Sequence, residues 1–204
     1  MAEYIRYYRH PLYVRITHAV HALSMIMLVL TGLHIAVPKY FSLFGTISMA
    51  RYLHFIFAWL IIWCYVSRAY YYFFVTGKAF DIIVRPSDIP QFFVLMKYYL
   101  WGIFTNAPKP NFGKYNPGQK IAYSIWPLVF VPQFLTGFAL YEPEMFSGVV
   151  DFFSGLGYVR FWHFILTIFY LISLMVHIYL GSTGVTVRDY YISIITGYET
   201  KKVS

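Results

Sequence analysis

Four stretches of about twenty apolar residues, each long enough to cross the core of a bilayer, decide what this chain can fold into. They run from about Thr17 to Val37, Tyr52 to Val75, Ile121 to Tyr141 and Val159 to Leu180. Inside lipid a backbone must satisfy its own N–H and C=O groups, so stretches of this kind are helices. The composition agrees: 59% of the 204 residues are hydrophobic and only 12% are charged, against about 25% charged in a soluble domain. The expected fold is therefore all-α, a single integral membrane domain over residues 1–204 built as a four-helix bundle. Pro127 and Pro132 fall inside the third span. Each frees a carbonyl and kinks the helix, which a membrane helix tolerates when neighbours or water satisfy the freed group.

The formal net charge is +8. In a chain this apolar, basic residues belong in cytoplasmic loops facing anionic lipid headgroups. No basic run is interleaved with polar recognition residues, which argues against nucleic acid as a partner. Arg6, Arg9 and Arg15 precede the first span, Lys78, Arg85, Lys97, Lys109, Lys114 and Lys120 lie between the second and third, and Arg188, Lys201 and Lys202 follow the fourth. The other two connections hold Lys39, Arg51 and Arg160 with Glu142, Glu144 and Asp151. This bias puts both termini on the cytoplasmic side of a multi-pass protein. Met1 to Pro11 has the look of a signal-peptide n-region, but the apolar stretch after it ends in Val37-Pro38-Lys39 with no small-residue cleavage site. It reads as a retained helix.

The connection from Gly77 to Gln119 is too long for a simple turn. Ser87-Asp88-Ile89-Pro90 starts a helix there. The aromatic stretch that follows is too short to cross, so an additional helix over about 88–104 is expected in the cytoplasmic interface, followed by a Pro/Gly/Asn-rich loop from Asn106 to Gly118. Cys64, the single cysteine, lies in the second span and excludes an internal disulfide, a thiolate metal cluster and covalent haem attachment through Cys-x-x-Cys-His. It is a small buried apolar residue.

The chemistry sits in histidines. Three spans open with Arg-x-x-His, namely Arg15 to His18, Arg51 to His54 and Arg160 to His163, and His177 follows His163 by fourteen residues. Imidazoles in a membrane segment are functional residues by default. Topology pairs them: His18 and His177 share the cytoplasmic level, and His54 and His163 share the outer one. Fourteen residues are nearly four helical turns, so His163 and His177 face one way about 21 Å apart. Two such pairs are what two bis-histidine haems need, held as bundles hold cofactors, between side chains of facing helices. Arg15, Arg51 and Arg160, one turn from their histidines, are candidates to pair with haem propionates, or else basic residues that snorkel to the interface. Gly32 and Gly137 could admit a flat macrocycle or serve close helix packing. His10 reads as a surface residue, and His34 as a structural one. His21, one turn from His18, is either an alternative ligand or part of a quinone pocket.

These residues resemble a known family, the four-helix di-haem cytochrome b subunits of respiratory complexes: nickel–iron hydrogenase b-type cytochromes, formate dehydrogenase gamma subunits and thiosulfate reductase cytochromes. Arg15-Ile16-Thr17-His18, Thr31-Gly32, Arg51 to His54, Tyr115-Asn116-Pro117-Gly118-Gln119-Lys120 and the His163/His177 pair carry the resemblance, which covers nearly the whole chain. It implies two b-type haems, one on His18 and His177 and one on His54 and His163. It also implies an iron–sulfur subunit and a catalytic large subunit on the outer face of a bacterial or archaeal cytoplasmic (inner) membrane, and a quinone (menaquinone or ubiquinone) near the cytoplasmic haem. Asn116, Gly118 and Gln119 stand at the quinone by the same resemblance, with Lys120, His21 and Tyr123 as further contacts. Family members often carry an aromatic residue directly after the first histidine, whereas Ala19 follows here, so both His18 and His21 stay open as ligand. The expected function is electron transfer between an outer hydrogenase- or formate dehydrogenase-type enzyme and the quinone pool. A stand-alone quinone-reactive cytochrome b, a quinol-oxidising subunit of a thiosulfate- or polysulfide-type reductase, and a haem-free anchor or transporter are the alternatives.

Overall fold

A helix can begin before its apolar span does, because its first turn, with N–H groups lacking helical partners, can stay among the headgroups. The computed structural model of the chain shows this at all four spans, where the helices start three to five residues ahead of the apolar stretches. It describes residues 4–105 and 107–202. Met1, where the N-terminal segment begins, and Asn106, where the Pro/Gly/Asn-rich loop begins, lie outside the described residues, as do the side chains of Lys201 and Lys202. The elements in order are β1 (Tyr4–Tyr8), α1 (Leu12–Ala36), α2 (Ile47–Tyr70), α3 (Asp88–Lys97), α4 (Pro117–Tyr141), α5 (Ser147–Phe152), α6 (Leu156–Gly181), α7 (Asp189–Thr196) and β2 (Tyr198–Lys202). The fold is all-α in class, and α1, α2, α4 and α6 are long and apolar enough to cross a membrane.

The chain divides into two units, Met1–Arg68 with Arg160–Ser204, and Ala69–Val159. In the first, α1 and α2 run antiparallel along a face of small polar residues. Thr17, Ser24 and Thr31 recur every seven residues on α1, two helical turns apart, and all are buried. Small residues at such spacing let backbones approach closely. Thr31 meets His54 at one end of this seam, and Thr17 meets Cys64 and Arg68 at the other. The Cys64 thiol is buried and donates to the Thr17 carbonyl at 3.6 Å, the inert packing role expected of it.

A short two-stranded ribbon, absent from the sequence expectation, joins the chain's ends. β1 pairs antiparallel with β2 from Tyr4 opposite Lys202 to Tyr8 opposite Tyr198. Five-residue strands so far apart in sequence leave no local hairpin signal. Arg9 closes the ribbon through an ion pair to Glu199 at 2.8 Å and a hydrogen bond to the Tyr7 hydroxyl at 2.9 Å. Burial opposes the Arg9 charge, but Glu199 and Tyr7 outweigh it and hold its pKa above the ordinary arginine value. Burial likewise pushes the Tyr190 phenol up, with Glu199 adding to it. α7 precedes β2; Asp189 accepts from the Thr186 N–H and hydroxyl at its start, and Gly197 ends it in the left-handed conformation at φ 90°.

In the second unit, the helix expected over about 88–104 is present in two pieces. Regular α3 stops at Lys97, and a π turn covers Tyr98–Gly102. The wider turn brings Gly102 against the Tyr98 ring, where a Cβ would sit 3.0 Å from it. α4 runs unbroken through Pro127 and Pro132. Asp88, at the start of α3, accepts from Lys120 Nζ at 2.7 Å and from the Arg85 N–H at 2.8 Å, tying α3 to the first turn of α4.

Candidate functional site

The first unit brings the four histidines together in the pairs that topology requires. His18 of α1 faces His177 of α6 with ring centroids 6.1 Å apart, and His54 of α2 faces His163 of α6 at 6.4 Å. A metal bound by two imidazoles lies about 2 Å from each nitrogen. Rings on either side of it then have centroids about 6 Å apart, the spacing of a bis-histidine haem iron. Among the described residues no group of three or more His, Cys, Asp or Glu could enclose a metal ion. The donor set thus fits a centre that takes only two protein ligands, as haem does.

His54 is held in one tautomer by its neighbours. The Thr31 hydroxyl gives its proton to the Met27 carbonyl at 2.6 Å, so toward His54 Nδ1, at 2.8 Å, it can only accept. Nδ1 therefore carries the imidazole proton and Nε2 keeps its lone pair for a metal. A Cβ on Gly32 would lie 3.5 Å from His54 Cε1. Thr31-Gly32 is thus a ledge for the His54 ring: the hydroxyl fixes its tautomer and the glycine leaves it room.

The other histidines have different neighbours. His21 stands edge-on to Tyr65 of α2 at 5.4 Å, and its buried Nδ1 has no hydrogen-bond partner among the described residues. His18 has a ring facing His177. His34 is buried, accepts the Phe44 N–H at 3.2 Å and stacks on the Phe44 ring, holding the α1–α2 connection in the structural role expected of it.

Among the arginines, Arg51 and Arg160 are exposed in the second turns of α2 and α6. Arg15 donates to the Ile195 carbonyl and so docks α7 on α1, while its buried Nε lacks a partner among the described residues. A cleft of about 410 Å³ opens between these two helices, lined mainly by Leu12, Ile16, Ile194 and Ile195, and reaches His18. Arg68 belongs with this group and is not among the residues the sequence singles out. Its Nε donates to the Thr17 hydroxyl at 3.4 Å, one residue from His18. The signal for it was available, since Arg68 follows His54 by the same fourteen residues that separate His177 from His163.

Asn116, Gly118 and Gln119 lie in the second unit and shape the start of α4. Asn116 Oδ1 accepts the Gln119 N–H at 2.9 Å, and Gln119 Oε1 accepts the Asn116 N–H at 3.0 Å. This is a reciprocal capping box, with Pro117 at the first helical position. Gly118 lets α3 approach, because a Cβ there would lie 3.2 Å from Leu95 Cδ2. Lys120 is engaged by Asp88, and Tyr123 packs edge-on against Tyr115 at 5.9 Å.

Comparison with known proteins agrees with the histidine geometry. The chain is 26% identical over 200 residues to a putative cytochrome, YdhU, of Escherichia coli (strain K12), covering 91% of this chain and 71% of that protein. The family model described as prokaryotic cytochrome b561 matches residues 9–197. The chain therefore belongs to the prokaryotic cytochrome b561 family, membrane cytochromes that carry electrons on b-type haem.

Proposed function

We propose that this chain binds two b-type haems and carries electrons across a bacterial or archaeal cytoplasmic membrane, between an outer iron–sulfur partner and the quinone pool. The observation that carries this reading is the pair of imidazole–imidazole distances, 6.1 and 6.4 Å, at two levels of α6. Haem iron held there supplies one-electron transfer. His18 and His177 serve the end of the helices that carries the chain termini, and the loop charges make that end cytoplasmic. His54 and His163 serve the outer end, with Thr31 keeping Nε2 of His54 available as a donor.

The partner, a hydrogenase- or formate dehydrogenase-type catalytic subunit with its iron–sulfur subunit, follows from the resemblance to the cytochromes of those enzymes. At the cytoplasmic level the same resemblance puts the quinone beside Asn116, Gly118 and Gln119. Because the capping box engages the Asn116 and Gln119 side-chain oxygens, the side-chain amide nitrogens of both residues are the groups left to donate to a quinone carbonyl.

A reduced-minus-oxidised spectrum with a haem count on the purified chain tests this directly. Two b haems per chain are expected, and absence of b haem overturns the reading. His163→Ala and His177→Ala should each remove one haem; if neither does, the pairing is wrong.

A further inference from the structure

A cation inside a membrane segment is costly without a counter-charge. Arg68 is such a cation. It lies two residues before the end of α2, half-buried, and no carboxylate meets it among the described residues, whose ion pairs are Arg9–Glu199 and Lys120–Asp88. Snorkelling does not explain its placement, because a snorkelling arginine carries its head outward to water. Arg68 instead turns its Nε inward to Thr17, which is 1% exposed. The contact is long at 3.4 Å and Thr17 is neutral, so it supplies no counter-charge.

The spacing explains how it comes to be there. Fourteen residues after His54, nearly four turns, Arg68 shares the face of α2 that presents His54. α6 uses the same interval to present an imidazole at each level, whereas α2 presents an imidazole at one level and a guanidinium at the other. Arg15, also at this level, is already bonded to Ile195.

We propose that Arg68 is the counter-charge for a propionate of the haem held by His18 and His177, and thereby sets that haem's potential. The inference rests on the two-haem reading above. A guanidinium is suited to a carboxylate by charge and by its fork of donors. A positive charge at this level also favours the added electron over the oxidised state. Removing it should make the haem harder to reduce.

The test is a potentiometric titration of the purified, haem-loaded chain as wild type, Arg68→Gln and Arg68→Lys. In Arg68→Gln one midpoint should fall by the equivalent of at least a tenfold change in the redox equilibrium, about 59 mV for one electron, while the other stays. Arg68→Lys should keep both near wild type. If Arg68→Gln loses one haem, its recovery in Arg68→Lys supports the counter-charge, and loss in both overturns it in favour of a packing role. Two haems with unmoved potentials in both variants also overturn it while leaving the two-haem reading standing. A wild-type chain with no haem at the His18–His177 pair overturns both.

Discussion

Thr31 accepts the Nδ1 proton of His54 at 2.8 Å because its own hydroxyl proton already belongs to the Met27 carbonyl. Partners of this kind orient ligand imidazoles, and losing one costs about 10–100-fold in affinity. Thr31→Val keeps the shape and removes the acceptor. It should speed haem transfer from the His54–His163 level to apomyoglobin about 10–100-fold, with Thr31→Ser close to wild type. Equal transfer rates in Val and Ser variants would show that the hydroxyl does not hold the ring.

The ring geometry distinguishes His18 from His21. His18 faces His177 at 6.1 Å, whereas His21 faces Tyr65. His21→Ala should leave two haems per chain and His18→Ala should leave one. The opposite result in a haem assay would move the ligand one turn along α1.

Asn116 can be tested for its cap and for a quinone contact separately. Asn116→Ala should cost about 1 kcal/mol of stability by removing the N-cap. Asn116→Asp preserves the cap, and its charge suits a helix N-terminus. A normal melting temperature with reduced quinone turnover in Asn116→Asp is the outcome expected of a residue that also meets quinone. Wild-type turnover in that variant would leave capping as its role.

Lys120 first, and then the Arg85 N–H, hold the Asp88 carboxyl below the usual carboxylate range. A folded pKa below the unfolded value of about 4 means the contact stabilises fully above that value and is lost as pH falls through the folded one. Amide exchange in α3, corrected for its intrinsic pH dependence, should therefore rise on acidification below about pH 4. Asp88→Asn should flatten that response; an unchanged acid response in Asp88→Asn would assign it to another group.

Gly197 joins α7 to the terminal ribbon at φ 90°, and a Cβ there would come within 2.8 Å of the Tyr8 ring and 2.9 Å of the His10 carbonyl. Gly197→Ala should cost about 1–3 kcal/mol locally and expose both chain ends to protease, leaving the haem count at two. Wild-type protease resistance would mean the ribbon adjusts without strain.

Much of this protein is visible in one dimension because a membrane leaves a chain few choices. Twenty apolar residues must be a helix, alternating spans must alternate direction, and histidines near span ends then fall into two levels. The terminal ribbon was not legible, since pairing Tyr8 with Tyr198 depends on two distant strands meeting. α7 carried its signals, Asp189 at the start and Gly197 at the end, but its eight residues are too short for periodicity to announce. Asn116 to Lys120 shows the opposite problem: a motif recognised by resemblance also has an entirely local task as a helix cap.

The sequence by itself determined the four membrane helices, their alternation and the four histidines that could share two centres, because span length and the 3.6-residue turn act locally. Only the tertiary structure decided which imidazole faces which, that Thr31 sets the tautomer of His54, that His21 turns to Tyr65, and that Arg68 lies inward beside Thr17. Those are relations between helices, fixed by how closely small residues such as Thr17, Ser24 and Thr31 let two backbones approach, and no count along a single strand of residues contains that distance.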